Sequence, residues 1–479
     1  MKMSKIKLHI NSVNSRTKSR NKKTFFLPIL ILVMFTTSLS AQNWIELFNG
    51  KNFNNWEKKN GNAEYQIKGN EIVGISRLNT PNTFLCTKET YSDFILKLDV
   101  KVEAGLNSGI QIRSLSTPDY REGRVHGYQV EIDPAERAWS GGIYDEARRG
   151  WLCPLARNEK GRRAFKNGQW NHYRIEGIGN SLRTWVNGIQ CANLADDMTT
   201  EGFIALQVHG IRDKKQEGLT VRWKNIEILT EDIEKYRMET DPDVPEVSWL
   251  VNKLTDTEKR KGWRLLWDGE TTKGWRGANA DKFPEFGWGI KNGILTVLES
   301  GGAESRNGGD IVTEKEFSSF ELELDFMITS GANSGIKYFV VEGIQKGQGS
   351  AIGPEYQILD DKQHPDAKNG VNGNRTLASL YDLIKAENLS EPDRNSSKRF
   401  NGVGQWNKAR LVVSGNHVEH WLNNVKVVEY ERVSQIFRNL VAKSKYAKYP
   451  NFGEAPRGHI LLQDHGNKVS FRSIKIREE

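Results

Sequence analysis

Cysteine is scarce in this chain, with three residues in 479: Cys86, Cys153 and Cys191. So odd and sparse a set builds no disulfide framework, and its spacing fits neither a zinc site nor a catalytic thiol. One bridge in an oxidising compartment is compatible with the count; buried, unpaired thiols are the simpler expectation. Long apolar runs are lacking too. The stretch Phe25 to Phe35 is short and interrupted by Pro28, which excludes a comfortable membrane span. Extended 3.6-residue periodicity is nearly absent, which argues against a helical protein. Acidic residues are missing from positions 1–41, which hold eight Lys and Arg. A basic start, a short apolar core and a small-residue end at Ala41 read as a secretory signal, 1–41, and hence as an exported, secreted or periplasmic protein. Of the formal charge of +9, those eight cations leave about +1 for residues 42–479. The high pI therefore reflects the leader. A clustered basic face is not in evidence, and nucleic acid is not an expected partner.

What the chain has is a copy of itself. Trp44 to Gly50 returns as Trp263 to Gly269, Asn107-Ser-Gly-Ile as Asn333-Ser-Gly-Ile, and Tyr128-Gln-Val as Tyr356-Gln-Ile. Gly142-Ile-Tyr-Asp matches Ser379-Leu-Tyr-Asp, Gly168-Gln-Trp-Asn matches Gly404-Gln-Trp-Asn, and Trp185-Val-Asn matches Trp421-Leu-Asn. Gly202 to Gln207, with His209, matches Gly458 to Gln463, with His465. Ordered matches of this kind mean two copies of one domain, 42–231 and 263–479, with a linker at 232–262. Within each copy, segments such as Phe94 to Val102 and Phe320 to Ile328 alternate apolar and polar residues. Asn187-Gly188 and Asn292-Gly293 are hairpin turns. The expected fold is all-β, two tandem sandwiches of jelly-roll type. Thr255-Asp-Thr-Glu258 fits a helix capping box, and Val433 to Lys445 fits a helix peculiar to the second copy.

Side chains alternate along a strand, so Gln129, Glu131 and Asp133 share one face, as do Glu355, Gln357 and Asp361, with Asp360 at the strand end. Paired carboxylates on one face suit acid–base chemistry on sugars. Gln207 and His209, and Gln463 and His465, point the same way, and histidine exchanges protons near neutral pH. Gly109 and Gly335 admit close approach, with Asn107 and Asn333 beside them. Trp139, Tyr144, Trp151 and Tyr381 lie in loop-like stretches suited to stacking on sugar rings. Trp170, Trp185, Trp406 and Trp421 sit in strand patterns and are expected in the core. Arg148, Arg149, Lys337 and Arg375 supply cations that polarise a carbonyl oxygen.

These motifs together resemble the 3-keto-disaccharide hydrolase domain, also described as 3-keto-glucoside 1,2-lyase and 3-keto-2-hydroxyglucal hydratase. The resemblance covers nearly all of residues 42–479, twice. It implies a concanavalin A-like jelly roll that binds carbohydrate. A ketone at C3 acidifies the C2 proton; a base removes it, the C1 substituent leaves, and water adds to the enone. By resemblance, Glu355 and His465 act as base and acid, and Asp360, Asp361 and Gln463 orient substrate or hold a divalent metal. The matching first-copy positions are Gln129, Glu131, Asp133, Gln207 and His209. Tyr-Gln alignment sets Glu355 against Gly127 and makes the second copy the fuller site. A separate glycoside 3-dehydrogenase would act upstream. Two other readings stand beside it: a conventional two-carboxylate glycosidase, and a non-catalytic carbohydrate-binding module.

Overall fold

A computed structural model describes residues 44–344, 349–390 and 397–478. The leader assigned to 1–41 lies outside them. Each copy is a pair of antiparallel sheets face to face, as the alternation requires. In the first copy, one sheet is built on Phe94–Val102, flanked by Asn171–Ile178 and Thr220–Leu229. The facing sheet runs Gly150–Cys153, Ile143–Glu146, His126–Ile132, Ser108–Leu115, Phe203–Val208, Thr83–Thr87 and Trp56–Asn60. In the second copy, the equivalent of that sheet orders Trp275–Gly277, Ile311–Thr313, His459–Leu462, Asn333–Val340 and Glu355–Leu359. Its partner sheet centres on Phe320–Ile328, between Val469–Glu478 and Asn407–Ser414.

Turns follow from local chemistry. Both central residues of a type I′ hairpin need positive φ, and Asn187-Gly188 has 51° and 81° while Asn292-Gly293 has 53° and 73°. The Thr255 hydroxyl accepts from the Glu258 amide, and Glu258 reaches back to the Thr255 amide, closing both halves of the capping box on helix Asp256–Arg260. Helix Gln435–Ala442 forms where the second copy's extra segment was expected, with Ser434 as its cap.

The central strands of the two copies differ in what covers their polar face. In Phe94–Val102, Lys97, Asp99 and Lys101 remain partly exposed. In Phe320–Ile328, Glu321, Glu323 and Asp325 are all buried. Arg410 and Arg477 hold Glu321. Lys475, 3.1 Å away, holds Glu323, and Lys408, at 2.7 Å, holds Asp325. Buried carboxylates require such partners, since each unpaired charge would cost several kcal/mol. The linker explains the burial. Val247 and Ser248 add a parallel strand to the first sandwich, against Leu194 and Ala195. Glu258 of the linker helix pairs with Lys475 of the second sandwich. Trp249 lies under the Lys408 ammonium, 4.8 Å from the ring centre.

Several aromatic expectations change. Trp185 is in the core, 3% exposed. Trp170, Trp406 and Trp421 are half-buried plates under Lys224, Arg472 and Arg410, because the polar face of an edge region leaves one side of the indole open to a cation. Trp139 faces no sugar groove: it is fully buried and supports Trp151 edge-on, with ring centres 4.8 Å apart. The three cysteines are buried free thiols.

Candidate active sites

The Asn-Ser-Gly strand fixes how the two clefts correspond. Gly109 stands opposite Glu131, and Gln111 opposite Gln129. Gly335 stands opposite Gln357, and Lys337 opposite Glu355. Glu355 therefore corresponds to Gln129, and Gln357 to Glu131. The Gly127–Glu355 match suggested by Tyr-Gln is two residues out of register. The glycines are needed for space: a Cβ on Gly109 would lie 2.4 Å from Gln129 Cδ, and one on Gly335 would lie 2.1 Å from Glu355 Oε1. In each copy the corresponding residue, Gln129 or Glu355, thus folds its head group over the glycine.

In the second copy, Glu304, Asn333, Glu355, Gln357, His364, Asp366, Tyr381, Lys445, Gln463 and His465 line a cleft of about 250 Å³. Glu355 is 4% exposed. Burial pushes its carboxyl up to about 7, against the pull of Lys337 and Lys445. Lys337 sits behind it, 3.4 Å from buried Asp310. Burial also lifts Asp310, to about 6, although Lys337 opposes this. The His465 ring stands 5.9 Å, edge to face, from that of His364, and its Nδ1 is buried without a hydrogen-bond partner. Burial, and then the neighbouring His465, hold His364 below the usual imidazole range. The Tyr381 hydroxyl donates to Asp366 at 2.7 Å, and the Lys445 ammonium lies 4.2 Å from the centre of the Tyr381 ring. The Gln463 amide donates to Glu304 at 3.1 Å.

The first copy's cleft, about 380 Å³, is lined by Asn82, Asn107, Arg124, Gln129, Glu131, Arg137, Tyr144, Glu146, Trp151, Gln207 and His209. Glu131 accepts from Asn107 at 2.6 Å and from Gln129 at 3.2 Å, with Arg137 at 3.6 Å. Burial nonetheless pushes its carboxyl up to about 7. The Gln129 carbonyl accepts from Gln111 and Gln207, both at 2.7 Å, so this amide is locked in place.

Other expected site residues stand back from the clefts. Asp360 accepts from the Gly331 and Lys362 amides, and Asp361 from the Leu377 amide while pairing with Lys398. Both follow the last strand residue, Leu359, where alternation ends, so they secure loops. Asp133 also lies past its strand; it holds Arg137 at 2.5 Å. Arg375 stands outside the lining of the second cleft and grips Asp366 and Asp382 at 3.0 and 2.7 Å. Arg148 and Arg149 are tied to Asp145, and Arg149 also to Asp196. The cleft residues missing from the sequence reading are Glu304, His364, Asp366 and Lys445, with Asn82, Arg124, Arg137 and Glu146 in the first copy. One signal was available: the offset between copies grows by 20 residues between Trp421 and Gly458, marking the insertion that carries Lys445.

Among the described residues, the one group of His, Cys, Asp and Glu atoms close enough to share an ion is His417, Glu419 and Glu429, on the second copy's outer sheet. Lys426 already bridges its two carboxylates.

Moving a cleft carboxylate by about 1 Å is a direct test of this geometry. Gly335→Ala should displace Glu355 and lower kcat/KM on a cleft substrate by about 10²-fold, the scale of a 1 Å misplacement, with circular dichroism unchanged.

Comparison with known proteins places these clefts in context. A 3-keto-disaccharide hydrolase of Bacteroides thetaiotaomicron is 36% identical over 236 residues, 45% of this chain and 78% of that protein. A crystal structure from Parabacteroides distasonis, provisionally assigned as a glycosyl hydrolase, is 29% identical, with 48% of this chain and all of that one covered, at a TM-score of 0.41. The model of the 3-keto-alpha-glucoside-1,2-lyase-like domain matches residues 43–229 and again 262–477. The chain belongs to the 3-keto-alpha-glucoside-1,2-lyase-like domain family, in two tandem copies, and is a carbohydrate-active hydrolase.

Proposed function

We propose that the protein cleaves 3-keto-glycosides by elimination followed by hydration. The observation that carries this reading is the setting of Glu355: a buried carboxyl held near 7, facing a cleft rimmed by the Lys445 ammonium. Near neutral pH such a group is ionised in about half the molecules, which suits a base that must also return a proton. Glu355 takes the proton from C2. The C2–H electron pair forms the C1–C2 double bond as the C1–O1 bond breaks. Lys445 stabilises the negative charge that gathers on the C3 oxygen. His465 delivers a proton to the departing O1. Water then adds at C1, C2 is reprotonated, and the products are a 3-keto sugar and the free alcohol. Asn333, Gln357 and Gln463 hold hydroxyls, and Asp366, fixed by Arg375, orients Tyr381. The basic, apolar leader supports export, and the ketone calls for a separate glycoside 3-dehydrogenase acting first.

The test is incubation of the protein with a 3-keto-glucoside and with its unoxidised parent, in deuterated water. The expected result is loss of the oxidised compound alone, one deuterium at C2 of the product, and activity on methyl 3-keto-glucoside lowered at least about 100-fold in His465→Ala. Cleavage of the unoxidised parent would show direct displacement by two carboxylates and overturn the elimination.

A further inference from the structure

Two observations bear on the first cleft. The strand register exchanges acid and amide between the copies: Glu355 and Gln357 in the second stand where Gln129 and Glu131 stand in the first. The charged pair Lys337–Asp310 behind Glu355 is also replaced. Gln111 stands opposite Gln129 as Lys337 does opposite Glu355. Phe84 pairs with Gln207, where Asp310 adjoins the Gln463–Asp464 end of the matching strand. Yet the first cleft has kept a buried carboxylate, oriented by Asn107 and Gln129 and backed by Arg137. A buried acid aimed into a cleft and fixed in place by Asn107, Gln129 and Arg137 has the setting of a proton-exchanging group. Along a strand, two residues amount to about 7 Å. A sugar seated identically in both clefts would therefore meet its proton acceptor at only one of them. The reactive ring in the first cleft must sit displaced by about that distance.

The second observation concerns room. Tyr144 and Trp151 line both the first cleft and a groove of about 550 Å³ between the two copies. Phe400, Asn401, Gln405 and Asn423 of the second copy form the groove's opposite wall. Aromatic faces and amides are what a neutral sugar chain stacks on and bonds to. The cations in the wall do not call for an anionic ligand, since Arg148, Arg149 and Lys398 are already matched to Asp145, Asp196 and Asp361, and Arg399 lies over the Trp139 ring, 3.9 Å from its centre. The second cleft is the smaller, at about 250 Å³.

We propose that the first copy's cleft is a second active site, with Glu131 exchanging the proton, and that it takes 3-keto-glycosides whose leaving group is a neutral oligosaccharide lying across Trp151 in the groove between copies. The second cleft then handles substrates with short leaving groups. This division rests on the chemistry proposed above. In the first cleft, Glu131 accepts the C2 proton, the C1–O1 bond breaks as C1–C2 becomes double, and O1 takes a proton from His209, which lines the same cleft, and leaves as the oligosaccharide alcohol. Water restores the 3-keto sugar as before. Arg124 and Arg137 are the cations that face the developing oxygen charge.

The experiment compares methyl 3-keto-glucoside with a 3-keto-glucosyl trisaccharide, using the full chain as wild type, Glu131→Gln, Glu355→Gln and Trp151→Ala. The quantity read is the ratio of kcat/KM, trisaccharide over methyl glycoside. It should fall about 100-fold in Glu131→Gln and rise about 100-fold in Glu355→Gln, within the range that removing one acid–base group produces. Trp151→Ala should raise KM for the trisaccharide about tenfold. A ratio unmoved by Glu131→Gln, with the variant folded as judged by its melting temperature, overturns the second active site. A wild-type chain that turns over neither compound overturns the underlying chemistry instead, and the division falls with it.

Discussion

Glu355→Gln should lower kcat/KM on methyl 3-keto-glucoside by about 10²- to 10⁴-fold and, at the same time, make the protein more stable in mild alkali. The rate loss is what one positioned proton-transfer group supplies. The stability gain follows from the same burial. In the fold the carboxyl titrates near 7, against an ordinary value of 4.5. The folded state thus binds a proton that the unfolded chain has already released. Between pH 4.5 and pH 7, ionisation is progressively more costly to the fold, and above pH 7 the penalty is fully present, at about 3 kcal/mol. Glutamine fills the same space without a charge. Wild type and variant should therefore melt together at pH 4.5 and separate as pH rises, the variant melting higher by several degrees at pH 8. Melting curves at the two pH values check this. An identical difference at both would mean that Glu355 is not held near 7.

Lys475→Met should cost about 3–5 kcal/mol at neutral pH, the scale of breaking a buried ion pair from one side. Lys475 is 3% exposed and serves both Glu258 and Glu323. Glu323 is buried, which alone would raise its carboxyl; Lys475, then Lys408 and Arg410, hold it down to about 2. Its folded value lies below the unfolded one, so its contribution is present above pH 4.5 and is lost as pH falls towards 2. Without Lys475, Glu258 loses its buried ammonium and Glu323 keeps only the weaker hold of Lys408 and Arg410. The deficit should shrink near pH 4, where the destabilised acids take up protons. Denaturant midpoints at pH 7 and pH 4 measure it.

Both the duplicated sandwich and the shared face of each cleft strand were legible in the sequence. Period-two alternation put Gln129 with Glu131 and Glu355 with Gln357, and the Asn-Ser-Gly and Gln-x-His repeats found their neighbours. Correspondence between the copies was not legible, for a physical reason: a slip of two residues keeps every side chain on its own face. Alternation is therefore blind to it, and only the partner strand, through Gly109 and Gly335, fixes the register. Past the strand ends the alternation carries no information, and so Asp360 and Asp361 were placed wrongly while His364 and Asp366 were missed. Lys445 and Glu304 reach the cleft from loops far away in sequence. Trp139 read as a loop aromatic because its surroundings are polar in sequence; burial comes from Trp151 and the Arg137 guanidinium packed against it.

The stretch joining the copies has a consequence for anyone who cuts the gene in two. Its first part is woven into one sandwich as an edge strand at Val247, and its second part gives the buried Lys475 of the other a carboxylate partner through Glu258. A half that begins at Trp263 would inherit a lysine with no linker acid beside it and a bare wall where Trp249 used to lie. A half that ends before Val247 would leave the backbone of Leu194 and Ala195 without its partner strand. Neither piece should behave as a well-mannered monomer, and catalytic studies of single copies belong in the intact chain with the other cleft silenced.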